Sequence, residues 1–300
     1  MKVIVSDEIG FCYGVNRAYK ECLMLDTSEK KTYIYGLLVH NDQVVGKLQK
    51  EGISYFEDIN NLPVDSRQSR VIVRAHGIGS HDMSVLHSSF AHVLDMTCPI
   101  VSAMVEFAKK MQDSGYYIIA FGKKNHAEMI GLLGSIDPEK AVITDRAVIV
   151  QQSRVCILSQ TTMDTQDFKE FLSDIIKKND FSDIIVKNTI CFHTVQREKQ
   201  AAEIALKADL MLIIGSSNSS NTRKLYDIAC RGCSRSYLIQ TSEDLKKLDF
   251  SQVKTIGVLS GTSAPLWEIE KIIDAVHMVD CGNFSQDKGE VYLTWKIEKT

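Results

Sequence analysis

Short runs that are apolar at every position, and rich in Val and Ile, punctuate the chain at 71–73, 117–120, 155–158, 210–214 and 255–259. A strand that reads as a continuous apolar run is buried on both faces, which predicts parallel pairing. Residues 1–7 read as a further short strand entered at once. Between these runs the apolar residues recur at three- and four-residue spacing, as in Val101, Met104, Val105 and Ala108, and more loosely in Val195, Ala202 and Ala205. That spacing predicts helices with one buried face. Strands alternating with helices predict an α/β fold. Only four prolines and no low-complexity linker interrupt it, so its parts are expected to pack closely.

The pattern repeats. Cys12 lies 28 residues before His40 in His40-Asn41, Cys98 lies 28 before His126 in Asn125-His126-Ala127-Glu128, and Cys191 lies 28 before Ser219 in Asn218-Ser219-Ser220-Asn221. Each repeat reads as a strand ending in a cysteine, a helix, a second strand and then the polar cluster. A further helix and strand lead to a second polar signature: Arg74-Ala75-His76-Gly77, Ser159-Gln160-Thr161-Thr162 and Ser260-Gly261-Thr262-Ser263-Ala264-Pro265. The intervals from first to second signature are 36, 35 and 44 residues, the third lengthened by an insertion near 242–251. Polar groups at the carboxyl ends of parallel strands are where α/β folds hold ligands. The expectation is three similar α/β modules in pseudo-threefold arrangement around one centre. Their limits are 14–98, 99–191, and 192–280 together with 1–13, with 281–300 as a tail.

Composition narrows the function. A 300-residue chain with 44% hydrophobic and 24% charged residues is an ordinary globular protein. A net charge of −3 gives no polyanion-binding signal, which disfavours nucleic acid or a membrane surface as the main partner. No long apolar stretch opens the chain and no run approaches a membrane span, so the sequence predicts a cytoplasmic protein. Eight cysteines in a reducing compartment are not expected to pair. Cys22 and Cys156 fall within apolar periodicity and read as core; Cys281 is given no role. Cys230-Arg231-Gly232-Cys233 has no second pair to complete a zinc site, and Gly232 reads as a helix C-terminal glycine.

Cys12, Cys98 and Cys191 are 86 and 93 residues apart, which excludes a local zinc-finger or ferredoxin spacing. Only a fold could bring them together. Three thiolates on one iron–sulfur cubane leave one iron without a protein ligand, able to act on a substrate as well as pass electrons. His40, His76 and His126 recur at strand ends, and Ser219, Ser220, Asn221 and Ser263 are neutral donors near glycine-containing turns. Such a set suits an anion with many acceptor oxygens, above all phosphate. Ser219-Ser220-Asn221 precedes a helix expected from Thr222. Glu128, two residues past His126, is expected to have a raised pKa and to supply a proton. Asp82, Asp164 and Asp167 read as ordinary polar helix positions.

The ordered set Gly10-Phe11-Cys12, His40-Asn41, Ala75-His76-Gly77, Thr97-Cys98-Pro99, His126-Ala127-Glu128, Gln160-Thr161-Thr162, Ile190-Cys191, Gly215-Ser216 with Asn218-Ser219-Ser220-Asn221, and Ser263-Ala264-Pro265 resembles the 4-hydroxy-3-methylbut-2-enyl diphosphate reductase (LytB) family over roughly 1–280. That family closes the methylerythritol phosphate route to isoprenoids. The resemblance implies a [4Fe–4S] cluster held by Cys12, Cys98 and Cys191 with an open apical iron. It implies a diphosphate gripped by His40, His76, His126, Ser219, Ser220, Asn221 and Ser263. Glu128 would be the proton source, Thr161 would orient the substrate hydroxyl and the proton relay, and His126 would be the third catalytic residue. The products would be isopentenyl and dimethylallyl diphosphates, with electrons from ferredoxin or flavodoxin. The chain departs from the family pattern in having Asp7-Glu8-Ile9 before Gly10, Ala127 where the family has proline, Met129-Ile130-Gly131-Leu132 after Glu128, and His193-Thr194-Val195-Gln196-Arg197-Glu198 after the third cysteine.

Other readings remain open. A paralogue could use the same cluster to reduce or dehydrate another allylic or phosphorylated compound. A non-redox hydro-lyase also uses an open iron, but its carboxylate substrates call for arginine at the pocket, for which Arg74 is the nearby candidate. An iron–sulfur sensor has no chemical need for Glu128 and Thr161.

Overall fold

The structure, a computed structural model, describes residues 1–280; the expected tail, with Cys281, lies outside the described residues. It divides into two compact units, one of Cys12–Val195 and one of Met1–Phe11 with the chain from Gln196 onward. The larger unit opens with helix α1 (Tyr13–Met24) and carries two parallel sheets. The first has strands β2 (Thr32–Tyr35), β3 (Ile53–Phe56), β4 (Arg70–Val73) and β5 (His92–Asp95), in the order β3-β2-β4-β5, crossed by helices α2 (Asp42–Lys50) and α3 (Ser80–Ser89). The second has β6 (Tyr117–Phe121), β7 (Ala141–Thr144), β8 (Arg154–Ser159) and β9 (Asp183–Lys187), in the order β7-β6-β8-β9. Its helices are α4 (Pro99–Asp113), α5 (Ala127–Leu133) and α6 (Thr165–Lys178). Helix α7 (Phe192–Ala205) runs through the division.

In the smaller unit β10 (Leu210–Ile214), β11 (Ser236–Ile239) and β12 (Thr255–Ser260) are joined by the N-terminal strand β1 (Lys2–Val5), giving β11-β10-β12-β1. Helices α8 (Ser220–Gly232) and α9 (Leu266–Asp280) complete it. All three sheets therefore share one order, second-first-third-fourth, with β1 standing in fourth place in the last. Three similar α/β modules follow from that identity. In this order the loops after the first and third strands leave towards opposite faces of the sheet, and a crevice opens between them at the carboxyl ends.

Burial follows the strand period of two. In the second sheet Ile118, Ala120, Cys156 and Leu158 face a core shared with Met104, Ala108, Met129 and Leu132. Ile119, Phe121, Val155 and Ile157 face Phe168, Phe171 and Ile175. In the smaller unit Leu210, Leu212 and Ile214 pack with Ile269, Ile272 and Val276, while Met211 and Ile213 pack with Ala201, Ile204, Leu225 and Ala229. Both faces are covered, as continuous apolar runs require. Cys22 and Cys156 are buried core residues, as expected.

Several local expectations change. The buried face of α7 is Thr194, Arg197, Ala201, Ile204 and Ala205, and Ala202 is exposed. The polar side chains on that face hid its register. The extra length of the third repeat lies partly where it was expected, in the long β11–β12 connection with its 3-10 helix at Ser242–Lys247, and partly in α8, which has 13 residues against nine in α2 and seven in α5. Gly232 is the last residue of α8 rather than a left-handed cap; a Cβ there would stand 2.8 Å from that of Ala205. Asp164 is the N-cap of α6, accepting from Gln166 N and Asp167 N.

Two glycines give opposite tests of packing. A Cβ on Gly79, before α3, would stand 2.8 Å from the Cα of Gly134, a backbone contact with nothing flexible to yield. Gly79→Ala should lower stability by about 1–3 kcal/mol, read as a lower denaturant midpoint with unchanged slope. Gly46 lies within α2 with nothing near its missing side chain. Gly46→Ala should raise stability by about 0.5–1 kcal/mol.

Candidate functional site

Each cysteine of the expected ligand set begins a helix. Cys12 is the N-cap of α1, Cys98 is the N-cap of α4, and Cys191 directly precedes α7. A helix N-terminus favours negative charge beside it, as a thiolate ligand would carry. The placement repeats because each cysteine ends the loop that follows a fourth strand. Cys98 N–H donates to Ala75 O at 2.9 Å, and Cys191 N–H donates to Thr161 O at 2.8 Å. Ala75 and Thr161 each lie two residues past the end of the third strand, β4 or β8. The ladder is thus carried past both strands, and each cysteine is fixed beside a second polar signature.

Cys98 also meets α1. A Cβ on Gly14 would stand 2.9 Å from both Cβ and Sγ of Cys98, so the first turn of the helix that Cys12 caps is in contact with the second thiol. Arg17 of α1 donates to Thr97 O at 2.8 Å. Cys12, Cys98 and Cys191 are half-buried, and none of the seven described cysteines is in a disulfide. Among the described residues no three His, Cys, Asp or Glu side chains are gathered as ligands of a single metal ion. A cubane binds differently, with one thiolate on each ligated iron. Three half-buried thiols at helix N-termini, with glycine where a side chain would displace one of them, fit such a group.

The histidines occupy two kinds of place rather than three equivalent ones. His40 and His126 follow the first strands β2 and β6, while His76 follows the third strand β4. First and third strands are neighbours, so His40 and His76 flank the crevice of the first sheet, while His126 belongs to the second. The rings of His76 and His126 meet edge to face, 5.7 Å between centroids. His76 Nδ1 is buried without a hydrogen-bond partner. Burial, then the charges of Arg74, His126 and His40, push its pKa down to about 3. His126 caps α5, its Nδ1 accepting from Glu128 N–H at 3.3 Å. That bond leaves the proton of the neutral ring on Nε2, as a donor. Burial, then Lys123, Arg74 and His40, lower its pKa to about 4. His40 is exposed.

Glu128 is 1% exposed in the first turn of α5. Its Oε1 accepts from Thr161 N–H at 2.7 Å and its Oε2 from Thr161 Oγ at 2.8 Å. Burial raises its pKa from 4.5 to about 7, against the two Thr161 bonds that lower it. The sequence expectation of a raised value holds, with burial as its cause. Gln160 positions the neighbouring loop, its Oε1 accepting from Lys123 N–H at 3.0 Å and its Nε2 donating to Thr162 Oγ at 2.6 Å. Sequence reasoning gave Gln160 no role, because only the fold brings the second signature against the Gly122-Lys123 loop.

In the smaller unit Ser219 caps α8, which starts at Ser220 rather than Thr222, and accepts from Thr222 N–H at 3.4 Å. Asn221 Oδ1 accepts from Thr262 N–H at 3.1 Å, joining this cluster to the segment that carries Ser263. Asn221 Nδ2 is buried without a hydrogen-bond partner. Arg197, 2% exposed, was also missed. It donates through Nη1 to Ser260 O at 2.8 Å and through Nη2 to Gly10 O at 2.7 Å, clamping the ends of two neighbouring strands. The Cys230–Cys233 pair lies at the far end of α8, away from Ser219 and Asn221.

Glu128 gives a signed pH test. Its folded pKa lies above its unfolded value, so below pH 4.5 it has no differential effect. Destabilisation grows as pH rises from 4.5 to about 7 and is constant above. Glu128→Gln should remove it, raising stability at pH 8 relative to pH 4 by up to about 3 kcal/mol. Thermal unfolding across that range reads the difference. Gly14→Ala should leave the fold intact but displace Cys98, giving less bound iron per chain.

The LytB protein family matches residues 3–277. The chain is 39% identical over 274 residues to the 4-hydroxy-3-methylbut-2-enyl diphosphate reductase of Petrotoga mobilis, covering 91% of this chain and 96% of that one. It is 40% identical over 276 residues to the enzyme of the same name from Pseudothermotoga lettingae, covering 92% and 98%. It is similar to the solved structure of the Plasmodium falciparum E-1-hydroxy-2-methyl-but-2-enyl-4-diphosphate reductase, with TM-score 0.82, 28% identity and coverage of 98% and 95%. A second solved structure, an (E)-4-hydroxy-3-methyl-but-2-enyl diphosphate reductase described as the terminal enzyme of the non-mevalonate pathway, gives TM-score 0.69 at 32% identity over 92% of this chain and 99% of that one. A family match over nearly the whole length, joined to three like sheets with cysteines at their helix starts, makes this chain a member of the LytB family.

Proposed function

We propose that the chain reduces (E)-4-hydroxy-3-methylbut-2-enyl diphosphate to isopentenyl and dimethylallyl diphosphates, the last step of the methylerythritol phosphate route. Family membership supports the reading. The observation that carries it is the buried Glu128 carboxyl, held by both donors of Thr161, whose own carbonyl accepts from Cys191. A proton store is thereby tied to an expected cluster ligand.

Cys12, Cys98 and Cys191 hold a [4Fe–4S] cluster in this reading. When bound, the cluster supplies electrons, and its iron without a protein ligand supplies Lewis acidity. The rest belongs to the chain's own residues. The carbon–oxygen bond of the allylic alcohol breaks, a carbon–hydrogen bond forms, and water leaves, using two electrons and two protons. Hydroxide is a poor leaving group, so the departing oxygen needs a proton. Glu128, with a pKa of about 7, holds one near neutrality and can give it up. Thr161 Oγ, bonded to that carboxyl, orients the substrate hydroxyl. His40, His76 and His126 recognise diphosphate oxygens, His126 through Nε2–H, and Ser219, Ser220, Asn221 and Ser263 serve the same anion as neutral donors. Ferredoxin or flavodoxin supplies the electrons. Among the described residues no helix is long and apolar enough to cross a membrane. The reading places the enzyme in the cytoplasm, where unpaired thiols persist.

Protein purified without air should contain iron and sulfide and turn over the allylic diphosphate with a dithionite-reduced dye. Ser at Cys12, Cys98 or Cys191 should remove colour and activity, whereas Cys230→Ser should keep both. Loss of the cluster from the Cys230 variant with retention in the Cys98 variant would reverse the ligand assignment. Glu128→Gln should keep its iron and its affinity for diphosphate yet turn over at least roughly a hundredfold more slowly. Near-normal turnover would remove Glu128 from proton delivery.

A further inference from the structure

Most of the anion-binding set described so far is neutral. His76 and His126 are held uncharged at pH 7, and serine and asparagine carry no charge. A diphosphate brings at least two negative charges, and neutral donors alone leave them uncompensated. Two cations act on these histidines without a role in the reading above, Lys123 on His126 alone and Arg74 on both.

Arg74 opens the turn that ends in Gly77, whose N–H donates to Arg74 O at 3.0 Å, and His76 lies inside that turn. Its side chain lies over Gly36, at the end of the neighbouring strand β2. A Cβ on Gly36 would stand 2.7 Å from Arg74 Cζ and Nη1, and Gly36 has φ +75°, so glycine is required there on both counts. Arg74 is half-buried, and its Nε is buried without a hydrogen-bond partner. Among the described residues the guanidinium makes no hydrogen bond and no ion pair. Arg74 lines a pocket with Gly36, Gly77 and Ala127, and two acids line it as well. Asp82 accepts from Tyr35 Oη at 2.9 Å, and Glu57 is exposed. Neither is in ion-pair contact with Arg74, although the charge of Glu57 acts on it. A guanidinium has five donors in a fixed fork suited to phosphate, and a desolvated one left without a partner is a standing loss to the fold. Its charge acts on both His76 and His126.

We propose that Arg74 is an anion-binding residue, its guanidinium supplying the positive charge for a phosphate or diphosphate group recognised by His76 and His126. The proposal rests on the reading of those histidines as diphosphate ligands.

Inorganic diphosphate is the probe, titrated by calorimetry into the iron-loaded protein, with thermal unfolding of every variant alongside. The parent should bind it, and His40→Ala should bind it more weakly. Arg74→Gln and Arg74→Met should each weaken binding about tenfold or more, while Arg74→Lys stays within a few-fold. With the allylic substrate, Arg74→Gln should raise KM and change kcat less than about threefold. Affinity should fall less steeply with salt in Arg74→Gln than in the parent. Glu57→Gln, which removes an exposed opposing charge, should tighten binding by about two- to threefold. A parent that binds no diphosphate overturns this proposal together with the reading beneath it. A parent that binds while Arg74→Gln binds equally overturns this proposal alone. Equal losses in Arg74→Lys and Arg74→Gln assign Arg74 to packing and also overturn it. Should the Gln and Met variants fail to fold, Glu57→Gln decides, and unchanged affinity in that variant rejects the charge role.

Discussion

Two backbone hydrogen bonds organise the larger unit's site: Cys98 N–H to Ala75 O and Cys191 N–H to Thr161 O. Each carries a parallel ladder beyond the strands that make it. A parallel sheet covered on both faces has no free surface for chemistry except at its strand ends. These bonds use that place twice in the same way, setting a thiol beside the turn that follows the third strand. His76 follows Ala75 directly, and Thr161 itself holds Glu128. The thiols, the imidazole pair and the carboxyl are therefore positioned by main chain, which varies little when side chains change.

The electrostatics follow from the same burial. Desolvation disfavours charge, so it raises a carboxyl and lowers an imidazole. Glu128 and the histidines move in opposite directions for one reason: near pH 7 both imidazoles are neutral and Glu128 keeps its proton about half the time. Neutrality serves each differently. A neutral carboxyl can donate a proton; a neutral imidazole with Nδ1 occupied can donate through Nε2. The Thr161 bonds oppose the rise of Glu128 and keep it near 7, where both protonation states are accessible. Without them the acid would hold its proton more tightly and release it less readily.

Much of this was legible in the sequence because strand burial and glycine placement are local signals. The apolar runs at 117–120, 155–158 and 210–214 marked strands that are now seen covered on both faces. The 28-residue spacing carried the repeat because helix and strand lengths between a cysteine and the next polar cluster are alike in all modules. The order of strands within each sheet was hidden, since an apolar run marks a strand and not its neighbours. Arg197 was hidden because its helix face mixes Thr194 and Arg197 with alanines, and no apolar period reveals such a face. Gln160 and Arg74 stood in the second polar signatures, but what they touch was hidden for another reason. Their partners, the Gly122-Lys123 loop and Gly36, lie 37 residues or more away in sequence, and only pairing of first and third strands brings them close.

Glycine shows where the fold tolerates no variation. At Gly14 the missing side chain is the space that Cys98 occupies, and at Gly36 it is the space that Arg74 occupies. Both lie next to chemistry rather than in the core. The smaller unit does the same with one residue: Thr222, fully buried, fills the space beside both Gly215 and Gly261 at the ends of adjacent strands. A close approach of this kind fixes a neighbour by exclusion, at the expense of any larger residue. The departures from the family pattern, at 7–9, 127, 129–132 and 193–198, leave all of these glycines in place. The close approaches to Cys98, Arg74 and Thr222 therefore persist whatever those positions hold.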